Sequence, residues 1–304
     1  MDGLEGRIGE TVVVRRAGCQ TKKADPLGRE LLTRISGLPV RSAGGVQGGG
    51  RLFLGVASLL LPQAVQEEGG LLRYETPRAI VFYEPGPLST EAMGRFTHLL
   101  DQGILDIQTY VDGAPRENRR RVVYYVRTDI PISWSFRHTV LLPMDRVKDQ
   151  TAPYLHETTH ILFPVRSGSV WFSEGFASFV QSYVAEHLGG YDGYVFSKGG
   201  NRNVDNLARR HLASEGGRAV LPFVGGDEAP PDLYTDRWGV AAPLYVLSHS
   251  FVKYLVEKAG LDPVKGLVEA PDIPARLQES TGKPIGEWKA DWLRSLRAGD
   301  ERRP

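Results

Sequence analysis

Residues 154–163 read Tyr-Leu-His-Glu-Thr-Thr-His-Ile-Leu-Phe, so a glutamate directly follows the first of two histidines set four positions apart. On a helix of about 3.6 residues per turn, His156 and His160 stand one above the other on a single face, and two imidazoles so placed can share one divalent cation. Glu157 falls about 100° further round the axis, beside the cation rather than on it, where a carboxylate can take a proton from water. Catalytic zinc normally has three protein ligands and one open position, so two histidines need a partner. A third histidine six residues after His160 is absent, because Arg166 stands there. Further along runs Trp171-Phe-Ser-Glu174-Gly-Phe-Ala177. Ser173 reads as the cap of a second helix, with Glu174 in its first turn. A tight turn through residues 164–170 would fold that helix back and carry Glu174 to the cation. The plainer role for Glu174 is a carboxylate favoured near a helix N-terminus by the helix dipole.

Composition narrows the chemistry. The chain has 304 residues and one cysteine, Cys19, which rules out an intrachain disulfide and any zinc site built on paired thiolates. A metal must therefore be held by carboxylates and some of the seven histidines. Lys and Arg number 37 against 36 Asp and Glu. The bulk charge thus gives no reason to expect nucleic acid or an anionic membrane as partner. The proportions, 41% apolar and 24% charged, are those of a globular protein.

The elements that must position these residues can be read in outline. Ala79-Ile-Val-Phe-Tyr83 is a β-branched and aromatic run closed by Glu84-Pro-Gly-Pro87, hence a strand and a turn. Ser89 can cap a helix reaching about Val111, with Met93, Phe96, Leu100, Ile104 and Ile107 at helical spacing. Residues 121–126 and 136–142 read as further strands. Helices are expected over residues 151–163, ending before Pro164, and over 173–187. Others are expected over 204–213, 243–259, 274–280 and 285–296. The expected fold class is α+β: a small mixed sheet with the histidine helix, then a mainly helical part. The boundaries are 67–165 for the first part and 166–304 for the second.

Residues 1–66 read as a separate leader. Gly44-Gly-Val-Gln-Gly-Gly-Gly-Arg51 can bury almost nothing, and residues 52–61 form an uncharged apolar run too short to span a bilayer. A basic residue, a short apolar run and a small residue at Ala64 are the layout of a secretory signal, set far from Met1. The expectation is an exported protein, periplasmic or extracellular, with no stable membrane span. The alternative is a short hydrophobic helix on a cytoplasmic protein.

The motif His156-Glu157-x-x-His160 followed by Trp171-Phe-x-Glu174-Gly-Phe-Ala177 resembles the gluzincin metallopeptidases, in particular the alanyl-aminopeptidase-like enzymes and bacterial peptidase MA-like domains. Tyr245-Val-Leu-Ser-His-Ser-Phe-Val-Lys-Tyr254 resembles the helix that carries that family's catalytic tyrosine, and Thr281-Gly-Lys-Pro-Ile-Gly-Glu-Trp288 resembles its closing helix. The resemblance covers roughly residues 71–296. It implies a thermolysin-like fold, one Zn²⁺ held by His156, His160 and Glu174, Glu157 as general base and Tyr245 as oxyanion donor. It also implies a peptide or protein substrate paired with the edge of strand 136–142, with His138, Thr139 and Val140 as candidate substrate-binding residues. Two features depart from the family. Thirteen residues separate His160 from Glu174, fewer than in the aminopeptidases. The Gly-x-Met-Glu-Asn strand that fixes a free amino terminus is missing, residues 136–142 reading Phe-Arg-His-Thr-Val-Leu-Leu. Aminopeptidase activity is therefore not expected.

Other readings stay in play. Tyr245 would pass for a core aromatic without the resemblance. His249, one turn on, could line the cleft but reads more readily as a surface residue, and His98, His187 and His211 read as surface residues too. A catalytically silent zinc-binding module on the same fold is the competing function, although such a scaffold has no use for Glu157. If residues 1–66 are a removable leader, residues 67–304 expressed alone give a soluble product with a cooperative thermal transition. An insoluble product without one contradicts the division.

Overall fold

The computed structural model describes residues 66–114, 120–188 and 200–298. The chain divides into two units, Met1–Gly55 and Val56–Pro304, and all described residues belong to the second. Residues 1–65, with the apolar run and Cys19, lie outside them, whereas Gln66, assigned above to the leader, opens the first strand.

Six strands form one sheet: β1 (Gln66–Glu68), β2 (Leu71–Glu75), β3 (Ala79–Tyr83), β4 (Val122–Arg127), β5 (Trp134–Phe136) and β6 (Thr139–Pro143), in the order β1-β2-β3-β4-β6-β5. β3, β4 and β6 run parallel, while β1, β2 and β5 are antiparallel to their neighbours. Parallel neighbours need a crossover, and α1 (Thr90–Asp112) supplies it between β3 and β4. Ser89 caps α1 by accepting from the Ala92 amide, and Gly113 ends it in the left-handed region at φ 77°. Alternation along β4 turns Val122, Tyr124 and Val126 into the core. There they meet Met93, Phe96, Leu100, Ile104 and Ile107 of α1 within one hydrophobic cluster.

The other regular elements are helical: α2 (Met144–Lys148), α3 (Tyr154–Leu162), α4 (Val170–Leu188), α5 (Gly200–Ala213), α6 (Glu215–Val220), a 3-10 turn at Leu221–Phe223, a π turn at Arg237–Ala241, α7 (Ala242–Ala259), α8 (Leu261–Lys265), α9 (Ile273–Thr281) and α10 (Ile285–Ala298). Strands precede residue 144 and helices dominate after it, giving a mixed fold of small sheet and mostly helices. No helix among the described residues is long and apolar enough to cross a membrane.

Three expectations are corrected. The histidine helix starts at Tyr154, not at residue 151, because a residue that precedes proline is disfavoured in the helical region and Ala152 precedes Pro153. α4 starts at Val170, so Ser173 does not cap it and Glu174 lies in its second turn. The expected strand 136–142 is a hairpin instead. Arg137 takes φ 55°, His138 sits in the turn, and β6 is hydrogen-bonded to β4 on one side and β5 on the other. The backbone of Thr139 and Val140 is therefore already paired and offers no edge to a peptide. β5 is the outer strand.

α4 and α7 pack closely because Gly175 has no side chain. A Cβ there would lie 2.6 Å from the Ser248 carbonyl oxygen and 2.9 Å from Val252 Cγ2. The first obstacle is backbone, which cannot rotate away. Gly175→Ala should therefore lower unfolding stability by about 1–3 kcal/mol, the usual cost of overpacking. Denaturant titration checks this, and an unchanged midpoint contradicts the close contact.

Candidate metal centre

α3 is buried on nearly all sides. Tyr154 meets Phe96 of α1 edge-on at 5.4 Å, and Thr158 shares a 2.7 Å hydrogen bond with the Tyr124 hydroxyl of β4. Pro153 gives no side-chain cap, so the helix N-terminus needs an acceptor from elsewhere. The Gln181 side chain on α4 provides one, accepting from the His156 amide at 3.3 Å. The helix is thus tied to the sheet below and to α4 beside it.

A short turn joins α3 and α4, passing Gly168 at φ 71°, and the next helix returns along the first. His156 Nε2 and His160 Nε2 lie 3.1 Å apart. Glu174 Oε2 is 3.0 Å from the first and 3.5 Å from the second. Among the described residues these three form the one group of metal-type ligands gathered tightly enough to hold an ion. Donors at about 2.0–2.2 Å from a tetrahedral zinc stand about 3.3 Å from one another, so the residues fit the ion. A cation seated among them would be shared by both imidazoles and the carboxylate.

The electrostatics follow from the same contacts. Burial alone would raise the Glu174 carboxyl, but the His160 charge and hydrogen bonds from both imidazoles hold it well below the usual carboxylate range. Burial likewise opposes the charged form of His160, and the carboxylates of Glu174 and Glu157 outweigh it and raise its pKa. Glu157, itself buried, lies close enough to act on His160 but is not one of the three converging groups. The Tyr245 ring, in the first turn of α7, is centred 6.5 Å from that of His156.

The structure thus brings His156, His160, Glu174, Glu157 and Tyr245 into one region, and it leaves His138 exposed in its hairpin turn. His249 is corrected: it is buried, because α7 is packed among other helices over Leu247–Val252, and its Nε2 donates to Asn201 Oδ1 at 2.6 Å. Four side chains around the site were not anticipated: Ser173, Ser178, Gln181 and Asn201. Only Ser178 had a signal, four residues after Glu174 and so on the same helix face.

No protein-family profile and no curated protein matches the chain. Solved structures similar to the chain include two M1 zinc metallopeptidases. One is a mutant of a two-domain M1 zinc metallopeptidase bound to L-arginine, with a TM-score of 0.46 and 15% identity over 74% of this chain and 52% of that one. The other is a mutant of an M1 zinc metallopeptidase from Deinococcus radiodurans, with a TM-score of 0.43 and 14% identity over 75% of this chain and 50% of that one. The chain spans about half the length of each. Likeness this distant says nothing about activity.

Burial, helped by the nearby charges of His156 and Lys253, pushes the His249 pKa down from its ordinary 6.5 to about 3. The unfolded chain therefore binds the extra proton. The stability that neutral His249 contributes is fully present above pH 6.5 and is lost as the pH falls toward about 3. His249→Gln keeps a donor for Asn201 without a titrating ring. Unfolding measured across this range should show the wild type losing up to ~1.4 kcal/mol more per pH unit than the variant. Parallel pH profiles contradict the assignment.

Proposed function

We propose that the chain is a zinc-dependent metallopeptidase of the gluzincin kind that hydrolyses peptide bonds with Glu157 as general base. The observation that carries this reading is the convergence of His156, His160 and Glu174 to 3.0–3.5 Å, with a fourth ionisable group, Glu157, adjacent and outside the ligand set. In the same reading the sheet, α3 and the helical half behind them form a thermolysin-like catalytic domain.

Zinc held there would lower the pKa of a water and polarise a substrate carbonyl. Glu157 accepts the proton of the attacking water and returns it to the leaving amine. The Tyr245 hydroxyl donates a hydrogen bond to the oxygen that gains negative charge. An extended substrate adds to the outer edge of β5, which packs beside α3. Trp134 and Phe136 of that strand stack at 5.9 Å, and Phe136 and Ile132 are exposed, so apolar side chains suit the site.

Purified protein should carry about one zinc per chain, and the His156→Ala/His160→Ala double variant should carry none. Glu157→Gln should leave the zinc in place and lower cleavage of a peptide library by at least ~10²-fold. Tyr245→Phe should also keep zinc and lose roughly 10–10³-fold in kcat with KM little changed. Unchanged zinc in the double variant overturns the ligand set. A fully active Glu157→Gln overturns the mechanism, and a fully active Tyr245→Phe removes the tyrosine from it.

A further inference from the structure

We infer that Ser173 and Ser178 are positioning residues of the metal centre, each holding one imidazole so that its Nε2 is presented to the cation. The inference rests on the zinc reading above and adds residues that neither the motif nor the resemblance supplies.

Ser178 Oγ lies 3.3 Å from His156 Nδ1, and Ser173 Oγ lies 3.2 Å from His160 Nδ1. Each ring thus has one nitrogen toward the ligand cluster and the other against a hydroxyl. A neutral imidazole carries one proton. Committing Nε2 to a cation leaves that proton on Nδ1, where it needs an acceptor that also fixes the ring plane. The serine oxygens occupy that place. A hydroxyl inside a helix has a competing use, bonding to the carbonyl four residues back. Thr97 and Thr159 do so in this fold, whereas Ser173 and Ser178 meet the histidine rings.

Both serines belong to α4, one residue before and four residues after Glu174. One helix therefore supplies the third ligand and orients the other two, so an error in its placement disturbs all three donors together. The acceptors are also neutral. The converging groups then carry a single negative charge, that of Glu174, and a dication keeps a net positive charge for substrate polarisation.

The experiment uses the full chain and reads metal binding rather than turnover. Zinc affinity is measured by chelator competition, geometry by the visible spectrum of the Co²⁺-substituted protein, and folding by thermal melts of the metal-free forms. Ser178→Ala and Ser173→Ala should each weaken zinc binding about 10-fold, the low end for residues that hold a ligand from behind, and should alter the Co²⁺ bands. Ser173→Thr, which restores a hydroxyl, should return both readouts toward wild type. If Ser178→Ala does not fold, the half-exposed Ser173 position decides the matter alone. Alanine variants with wild-type affinity and spectrum overturn the positioning role and leave the zinc reading intact. Wild-type protein that binds neither ion overturns both.

Discussion

Two imidazole nitrogens and a carboxylate oxygen lie within 3.0–3.5 Å of one another between α3 and α4, and most of the structure around them serves to hold that convergence. Polar groups this close need a proton or a cation between them, and burial strengthens that need because water does not supply it. The fold keeps them together by fixing α3 from two directions. Tyr124 and Phe96 hold it to the sheet and α1, and the Gln181 side chain satisfies its N-terminus from α4. α4 in turn is seated on α7 through the close approach at Gly175. The glycine that follows Glu174 thus has a structural cause: it lets the backbone of α7 come near enough for Tyr245 to stand beside His156.

Several of the polar groups buried in the otherwise apolar helical half satisfy one another. Asn201 and His249 satisfy each other at 2.6 Å, and the Asn201 amide donates onward to the Phe179 carbonyl. Asp205, Ser250, Lys253 and Trp292 form a second set in which each polar atom has a named partner. These contacts link α5, α7 and α10 behind the site. Buried polar groups are tolerated when they are satisfied in this way.

Legibility from sequence followed the range of the interactions. His156, Glu157 and His160 were readable because a four-residue spacing on a helix is a local fact. α1 was readable from its apolar period, its Ser89 cap and its terminating Gly113. Glu174 was readable as a candidate, but its place at the second turn of α4 was not, since Ser173 resembles a cap and points instead at His160. The β5–β6 hairpin was hidden because residues 136–142 contain no turn signal. Arg137 adopts a positive φ there without glycine or asparagine, so the interior position of Thr139 and Val140 could not be foreseen. The burial of His249 depends on helices that come together from distant parts of the chain. No local pattern reports that.

The most direct test of the zinc centre is anomalous X-ray scattering at the zinc edge from a crystal of the metal-loaded protein. One strong peak is expected about 2.0–2.2 Å from His156 Nε2, His160 Nε2 and a Glu174 carboxylate oxygen, with Glu157 outside the coordination sphere. A peak ligated by other residues, or no peak between α3 and α4 at saturating zinc, would contradict it.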